Sequence, residues 1–203
     1  MDAGSAFTGG AGNDTFNATA TATFNALDSI DGGAGTDTLN VLDNAAAIAT
    51  AGRVVKNVEV ANLRSSGTVT ADTTGWTGLT TLTAEGSGGV NVTAAKTTTI
   101  TATNTGANAM AIIGGGGASS FTTGGAAVTI GQTAIANAFT SVSVTGGTTV
   151  AIADNVGNAV ATSAATSGDT LKTVTVNGAT GNVDITAKGL TAINATNLVT
   201  ARV

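Results

Sequence analysis

Two short runs near the start of the chain carry the residues best suited to chemistry. The first is Gly9-Gly10-Ala11-Gly12-Asn13-Asp14-Thr15-Phe16-Asn17, and the second is Gly32-Gly33-Ala34-Gly35-Thr36-Asp37-Thr38-Leu39-Asn40. Both fit G-G-x-G-x-D-x-U-x, where U is a large apolar residue. The glycines permit a tight turn with positive φ and leave backbone carbonyls uncovered by a Cβ. Asp14 and Asp37 each add a carboxylate, and Phe16 and Leu39 each begin a strand whose side chain points inward. A hard cation such as Ca²⁺ takes about six to eight oxygens, and carbonyls with carboxylates supply them.

Charge supports the same chemistry. Net charge is −5, and of the ten Asp residues six (Asp2, Asp14, Asp28, Asp31, Asp37 and Asp43) precede the first basic residue, Arg53. Carboxylates crowded without counter-charge repel one another, and a divalent cation relieves that repulsion. The plainer reading is a solvated acidic face. The acidic balance disfavours a nucleic-acid partner. Cys and His are absent, which removes a thiol nucleophile, a Ser-His-Asp triad and an ordinary zinc site. Glu59 and Glu85 are the only Glu residues and no motif pairs carboxylates for hydrolysis, so no catalytic residue is assigned.

The elements that must hold these turns are strands. Charged residues make up 9 % of the chain and aromatic residues 3 %, and Thr, Ala, Val and Gly suit thin, closely stacked strands. Thr19-Ala20-Thr21-Ala22-Thr23-Phe24 alternates as a strand should, and Ile30, Leu39 and Val41 fall at core positions. Asp28 and Asp31 precede the second turn, placed by position to complete a coordination shell. The capping pattern of Asp43-Asn44, the Ala-rich run and Gly52 predicts a short helix over residues 43–52.

From residue 53 an apolar-x-x-apolar-x-(Val/Ala) motif recurs, starting at Val55, Leu79, Phe139, Leu171 and Leu190. The long gap after Leu79 holds further strand-like pieces around Ile100 and Val128. A repeat of roughly 20–30 residues whose units bury their apolar face only by stacking predicts an all-β, elongated parallel β-solenoid, with a β-sandwich as the alternative. Residues 1–44 form the cation-binding portion and 45–203 the strand-rich repeats, continuous with it. Gly114-Gly115-Gly116-Gly117 lacks the Lys-Ser/Thr of a phosphate loop and reads as a turn or connector. Trp76, the only Trp, reads as a packing cap. No run reaches the roughly 18 apolar residues of a membrane span. Met1-Asp2-Ala3-Gly4-Ser5 has neither a basic nor an apolar leader region. The expectation is therefore a cytoplasmic chain, export that reads no N-terminal signal, or a piece of a longer protein.

The two glycine turns resemble the calcium-binding repeats of RTX proteins, which bacteria export by type I secretion. Val54-Val55-Lys56-Asn57-Val58-Glu59-Val60-Ala61-Asn62-Leu63 and Thr74-Gly75-Trp76-Thr77-Gly78-Leu79-Thr80-Thr81-Leu82 are similar to segments of RTX-type surface-layer proteins. The resemblance covers about half the chain. It implies calcium ligands at the Asp14 and Asp37 side chains, with carbonyls around Gly10, Gly12, Gly33 and Gly35. In that family several such repeats stack in tandem into a β-roll, whereas here there are two. The expectation is an extracellular structural protein of the bacterial surface that assembles with itself into a lattice or filament when calcium is present. A cell-surface glycan or lipopolysaccharide is the expected second partner. An adhesin or ice-binding solenoid is the alternative, the latter motivated by Thr-x-Thr triplets at 19–23, 68–70, 99–103 and 173–175.

Overall fold

The computed structural model describes residues 6–20, 23–44, 47–131, 137–153, 170–187, 189–197 and the backbone of 200–202. The described residues form strands joined by turns, with no helix, and so none long and apolar enough to cross a membrane. The first coil contains β1 (Ala6–Thr8) and β2 (Thr15–Ala18). The second contains β3 (Ser29–Asp31), β4 (Thr38–Asp43) and β5 (Ile48–Ala49), and the third β6 (Val54–Lys56), β7 (Val60–Ser65) and β8 (Val69–Asp72). Then follow β9 (Thr81–Gly86), β10 (Val90–Asn104), β11 (Met110–Thr123), β12 (Val128–Ile130), β13 (Ala138–Thr145) and β14 (Val150–Ala153). The chain ends with β15 (Thr173–Asn177), β16 (Asn182–Thr186), β17 (Ala192–Thr196) and β18 (Thr200–Arg202).

Every pairing between these strands is parallel and most link one coil to the next, which makes the chain a β-solenoid. One in-register ladder runs Ala18, Val41, Leu63, Ala84, Ala102, Phe121, Val144, Val176, Ala195. A second runs Ile48, Val69, Val90, Met110, Val128, Val150, Val183 and the backbone of Ala201. A short third ladder, Phe7, Ile30 and Val55, covers the start of the stack. The facing ladders supply one continuous core, with Ile30, Leu39, Leu82, Ile100 and Ile152 fully enclosed. Full burial of each such side chain contributes about 1.5–3 kcal/mol. Strand β4 pairs β2 on one side and β7 on the other, so the sheet crosses residue 44 without a break.

Three local expectations are corrected. No helix spans 43–52. Asp43 closes β4 and Ile48–Ala49 is a strand, because pairing with Val69 and Thr70 buries Ile48 and outweighs the helix propensity of alanine. The alternating run at 19–24 is not a strand at Thr19, Ala20, Thr23 or Phe24; residues 21–22 lie outside those described. The repeat frame in the third coil is also shifted by three residues. Ala61 and Leu63, not Val58 and Val60, stand in register with Leu82 and Ala84. The cause is a corner at Asn57, whose φ of 50° ends β6.

The long interval between the motifs at Leu79 and Phe139 resolves into stacked coils. Strands β10 and β11 each run through a bend from one sheet into the other. The four-glycine run lies inside β11 at that bend, not in a connector. A Cβ on Gly115, whose φ is +84°, would stand 3.1 Å from the Phe139 ring and 2.5 Å from Ile100 Cδ1. Phe121 and Phe139 meet edge to face in this space, 6.4 Å between centroids.

Candidate metal centre

The strand register fixes where the glycine turns sit. Thr8, Asp31 and Lys56 stack at the end of one ladder, and Thr15, Thr38 and Val60 stack at the start of the next. The first coil spans that corner with Gly9–Asp14 and the second with Gly32–Asp37, whereas the third uses only Asn57–Glu59. The motif turns therefore overlie each other once, between the first and second coils. Gly9 N–H donates to Asp31 O at 2.8 Å and Ala34 N–H donates to Gly10 O at 3.0 Å. Thr36 N–H is held by Asn13 Oδ1 at 2.8 Å.

The glycines are required by contact as well as by turn geometry. Gly33 and Gly35 have φ of +92° and +132°, and a Cβ on Gly35 would lie 2.5 Å from Gly12 O. A Cβ on Gly33 would run into Gly10 O. The carbonyl oxygens of Gly10 and Gly12 thus face the second turn, where Gly10 O accepts the Ala34 N–H and Asn13 Oδ1 lies beside Gly12 O.

The carboxylates form a ladder along the same corner. Asp14 Oδ2 accepts the Gly10 N–H, and Asp37 Oδ1 accepts the Asp14 N–H, both at 2.7 Å. Asp37 N–H is in turn held by Glu59 Oε2 at 2.7 Å. Asp14 is half-buried, but Asp37 is fully enclosed and its Oδ2 has no hydrogen-bond partner. A buried carboxylate oxygen without a partner is costly, and a cation is one group that satisfies it. The neighbouring donors are all oxygen, the chemistry a hard cation prefers, so the residues fit calcium. Among the described residues no three acidic side chains come together as a cation cage, so most ligands would be backbone carbonyls.

Asp31 lies at the edge of this corner, its Oδ1 accepting from Gly33 N–H at 3.2 Å and Asn57 Nδ2 at 2.8 Å. Asp28 stands at the other end of β3, in a separate cluster. Its Oδ2 accepts the Asn25 N–H at 2.7 Å, while Oδ1 is buried without a partner. Arg53 lies nearby, 4.8 Å above the Phe24 ring and donating through Nη2 to Phe24 O at 2.5 Å. Burial pushes the Arg53 guanidinium below its ordinary range, and the Asp28 charge opposes that shift. Trp76 meets Phe24 edge on at 6.1 Å and is almost wholly buried, a packing residue rather than a platform.

Sequence reasoning missed Glu59 and Asn57. Neither belongs to a glycine motif. The available signal was spacing: Asp37 and Glu59 are 22 residues apart, close to the 23 between Asp14 and Asp37. No protein-family model matches the chain, and neither characterised proteins nor solved structures return a match.

Proposed function

We propose that this chain is a structural, self-associating β-solenoid of the bacterial cell surface, of RTX type, with calcium held at its glycine turns. The observation that carries the reading is the buried, unpartnered Asp37 Oδ2 beside two stacked glycine turns. Its chemistry suits a cation, and the carbonyls of the glycine turns are oxygens of the kind such an ion takes. The fold supports assembly. Strands β2 and β17, at the two ends of one sheet, each pair on one side only among the described residues. An unpaired parallel edge is a template for the next copy. Calcium titration calorimetry, together with electron microscopy of the protein with and without chelator, tests it. Absence of binding heat with unchanged particles would sink the reading.

The ice-binding or adhesive alternative gains support from the outward face. Thr81, Thr83, Thr99, Thr101, Thr103, Ser120 and Thr122 fall on adjacent rungs of one parallel sheet. The irregular motif gaps in the sequence thus become regular rows about 4.7–4.9 Å apart. An exposed Arg64–Glu85 pair at 3.3 Å marks one border of the uncharged area. Thermal hysteresis separates this reading, since a purely structural solenoid leaves the freezing point unchanged.

A further inference from the structure

The two long ladders begin differently at the first coil. In one, β2 of the first coil pairs in register with β4. In the other, β5 of the second coil pairs with β8 alone among the described residues. The Ile48 and Thr50 N–H groups donate to Thr68 O and Thr70 O, at 2.9 and 3.2 Å. Alternation along a parallel strand therefore turns the Ala49 N–H and C=O to the opposite side, toward the first coil. By the 23-residue spacing that brings Asp14 to Asp37, Asn25 and Ala26 would be the partners of Ile48 and Ala49. They form a turn instead. Asp28 N–H donates to Asn25 O at 3.0 Å, and Asp28 Oδ2 takes the Asn25 N–H at 2.7 Å. With those amides spent locally, the segment does not continue the ladder.

What holds residues 23–28 in this place is centred on Arg53. Its Nε and Nη2 donate to Phe24 O at 3.1 and 2.5 Å, and its guanidinium lies 4.8 Å above the Phe24 ring. Phe24 is buried and meets the buried Trp76 ring edge on. Val54 N–H donates to Asp28 O at 3.1 Å, and a Cβ on Gly52 would stand 3.4 Å from Ala26 O. A cavity of about 140 Å³ remains beside this contact, lined by Thr23, Phe24 and Asn25 of the first coil, Val41 and Ile48 of the second, and Arg53. The segment thus covers the Ile48 end of the core without filling it.

We infer that residues 23–28 are a plug: they occupy the place of the next rung and keep a strand of a second copy of this chain from adding to β5. An open strand edge is a template for pairing, and covering it with a segment that is not a strand blocks that pairing. Arg53 is the positioning residue, because its fork holds the Phe24 carbonyl while its charge lies over the ring. A copy joining at this end is left the edges of β1 and β2 and not that of β5. No ion takes part, so the plug is independent of the calcium reading.

Sedimentation velocity of the full chain in EGTA tests the inference, with Arg53→Met removing the fork while keeping the aliphatic stem. Circular dichroism should match the parent, and self-association should tighten at least about tenfold, equivalent to about 1.4 kcal/mol. Adding Ala49→Pro to Arg53→Met should return association to the parent value, because proline deletes the edge-facing N–H and is tolerated on an edge strand. Unchanged association in Arg53→Met would overturn the plug, and so would a gain that Ala49→Pro leaves in place. Where Arg53→Met does not fold, Arg53→Lys keeps a charge over the ring without the fork and should show a smaller gain, again reversed by Ala49→Pro; no gain there overturns the plug as well. If the parent fails to assemble in calcium while Arg53→Met gains association in EGTA, the assembly reading above fails and the plug stands.

Discussion

Asp37 lies one coil beyond Asp14 and accepts its backbone N–H at 2.7 Å through Oδ1, which leaves Oδ2 enclosed and without a partner. One oxygen of the carboxylate ties two coils together, and on the calcium reading proposed above the other would take the ion. The two roles can be separated by mutation.

Asp37→Asn keeps an oxygen for the Asp14 N–H and removes the charge. Calcium affinity by calorimetry should fall at least about tenfold, about 1.4 kcal/mol. Thermal stability in EGTA should change much less than in calcium, since only the ion-bound state loses its counter-charge. Equal affinity in parent and variant would take Asp37 out of the site.

Gly35→Ala probes the turn stacking itself. The position has φ +132° and its new Cβ would sit 2.5 Å from Gly12 O. A strained backbone position of this kind costs about 1–3 kcal/mol. The loss should appear in thermal melts with calcium present.

Gly115→Ala is the corresponding test at the bend of β11. The added methyl meets Ile100 and Phe139, and overpacking of a filled core costs about 1–3 kcal/mol beyond the φ strain. Urea unfolding should show a lower midpoint while calcium affinity stays as in the parent chain, because the bend is remote in the stack from the glycine turns.

Leu82→Ala removes a fully enclosed side chain from the rung between Ala61 and Ile100. The expected loss is about 2–5 kcal/mol, again by urea unfolding. A loss below that range would mean that the neighbouring coils close over the cavity.

Asn17, Asn40 and Asn62 form an amide ladder on the outer face, with Asn40 donating to Asn17 and Asn62 to Asn40, both at 2.9 Å. Asn40→Ala breaks both bonds at once. At about 0.5–1.5 kcal/mol per bond, the melt should shift modestly, and by more than for Asn17→Ala, which breaks one.

The turns and the solenoid were legible because each is written locally. A glycine pattern followed by an apolar residue needs only its own few positions, and alternation in Thr81–Gly86 or Thr173–Asn177 declares a strand without its neighbours. Register was harder. It depends on coil length, and coil length changes at the corners: the third coil closes with Asn57–Glu59 where the second uses Gly32–Asp37. That shortening placed Ala61, a small residue with no apolar signal of its own, where Leu39 and Leu82 stand in neighbouring coils. Glu59 was missed for the same reason, since its spacing from Asp37 gains meaning only once the stacked geometry gives it the position of Asp14 and Asp37. The Ala-rich run at 45–51 misled because propensity is read within a segment, and the pairing of Ile48 with Val69 comes from the following coil.

The bend shared by β10 and β11 has a consequence for what the molecule can accept. Both strands pass from one sheet to the next with no intervening loop, the second with three glycines at positive φ. Coils elsewhere absorb differences in length at their corners without disturbing the rungs, as Gly9–Asp14 and Asn57–Glu59 do. A peptide grafted at the Gly9–Asp14 corner would enter a surface turn and leave every ladder in register. The same peptide between Gly114 and Gly117 would force the sheets apart at their seam. The stack thus has display sites at its glycine-turn end and a spliced, insertion-intolerant middle.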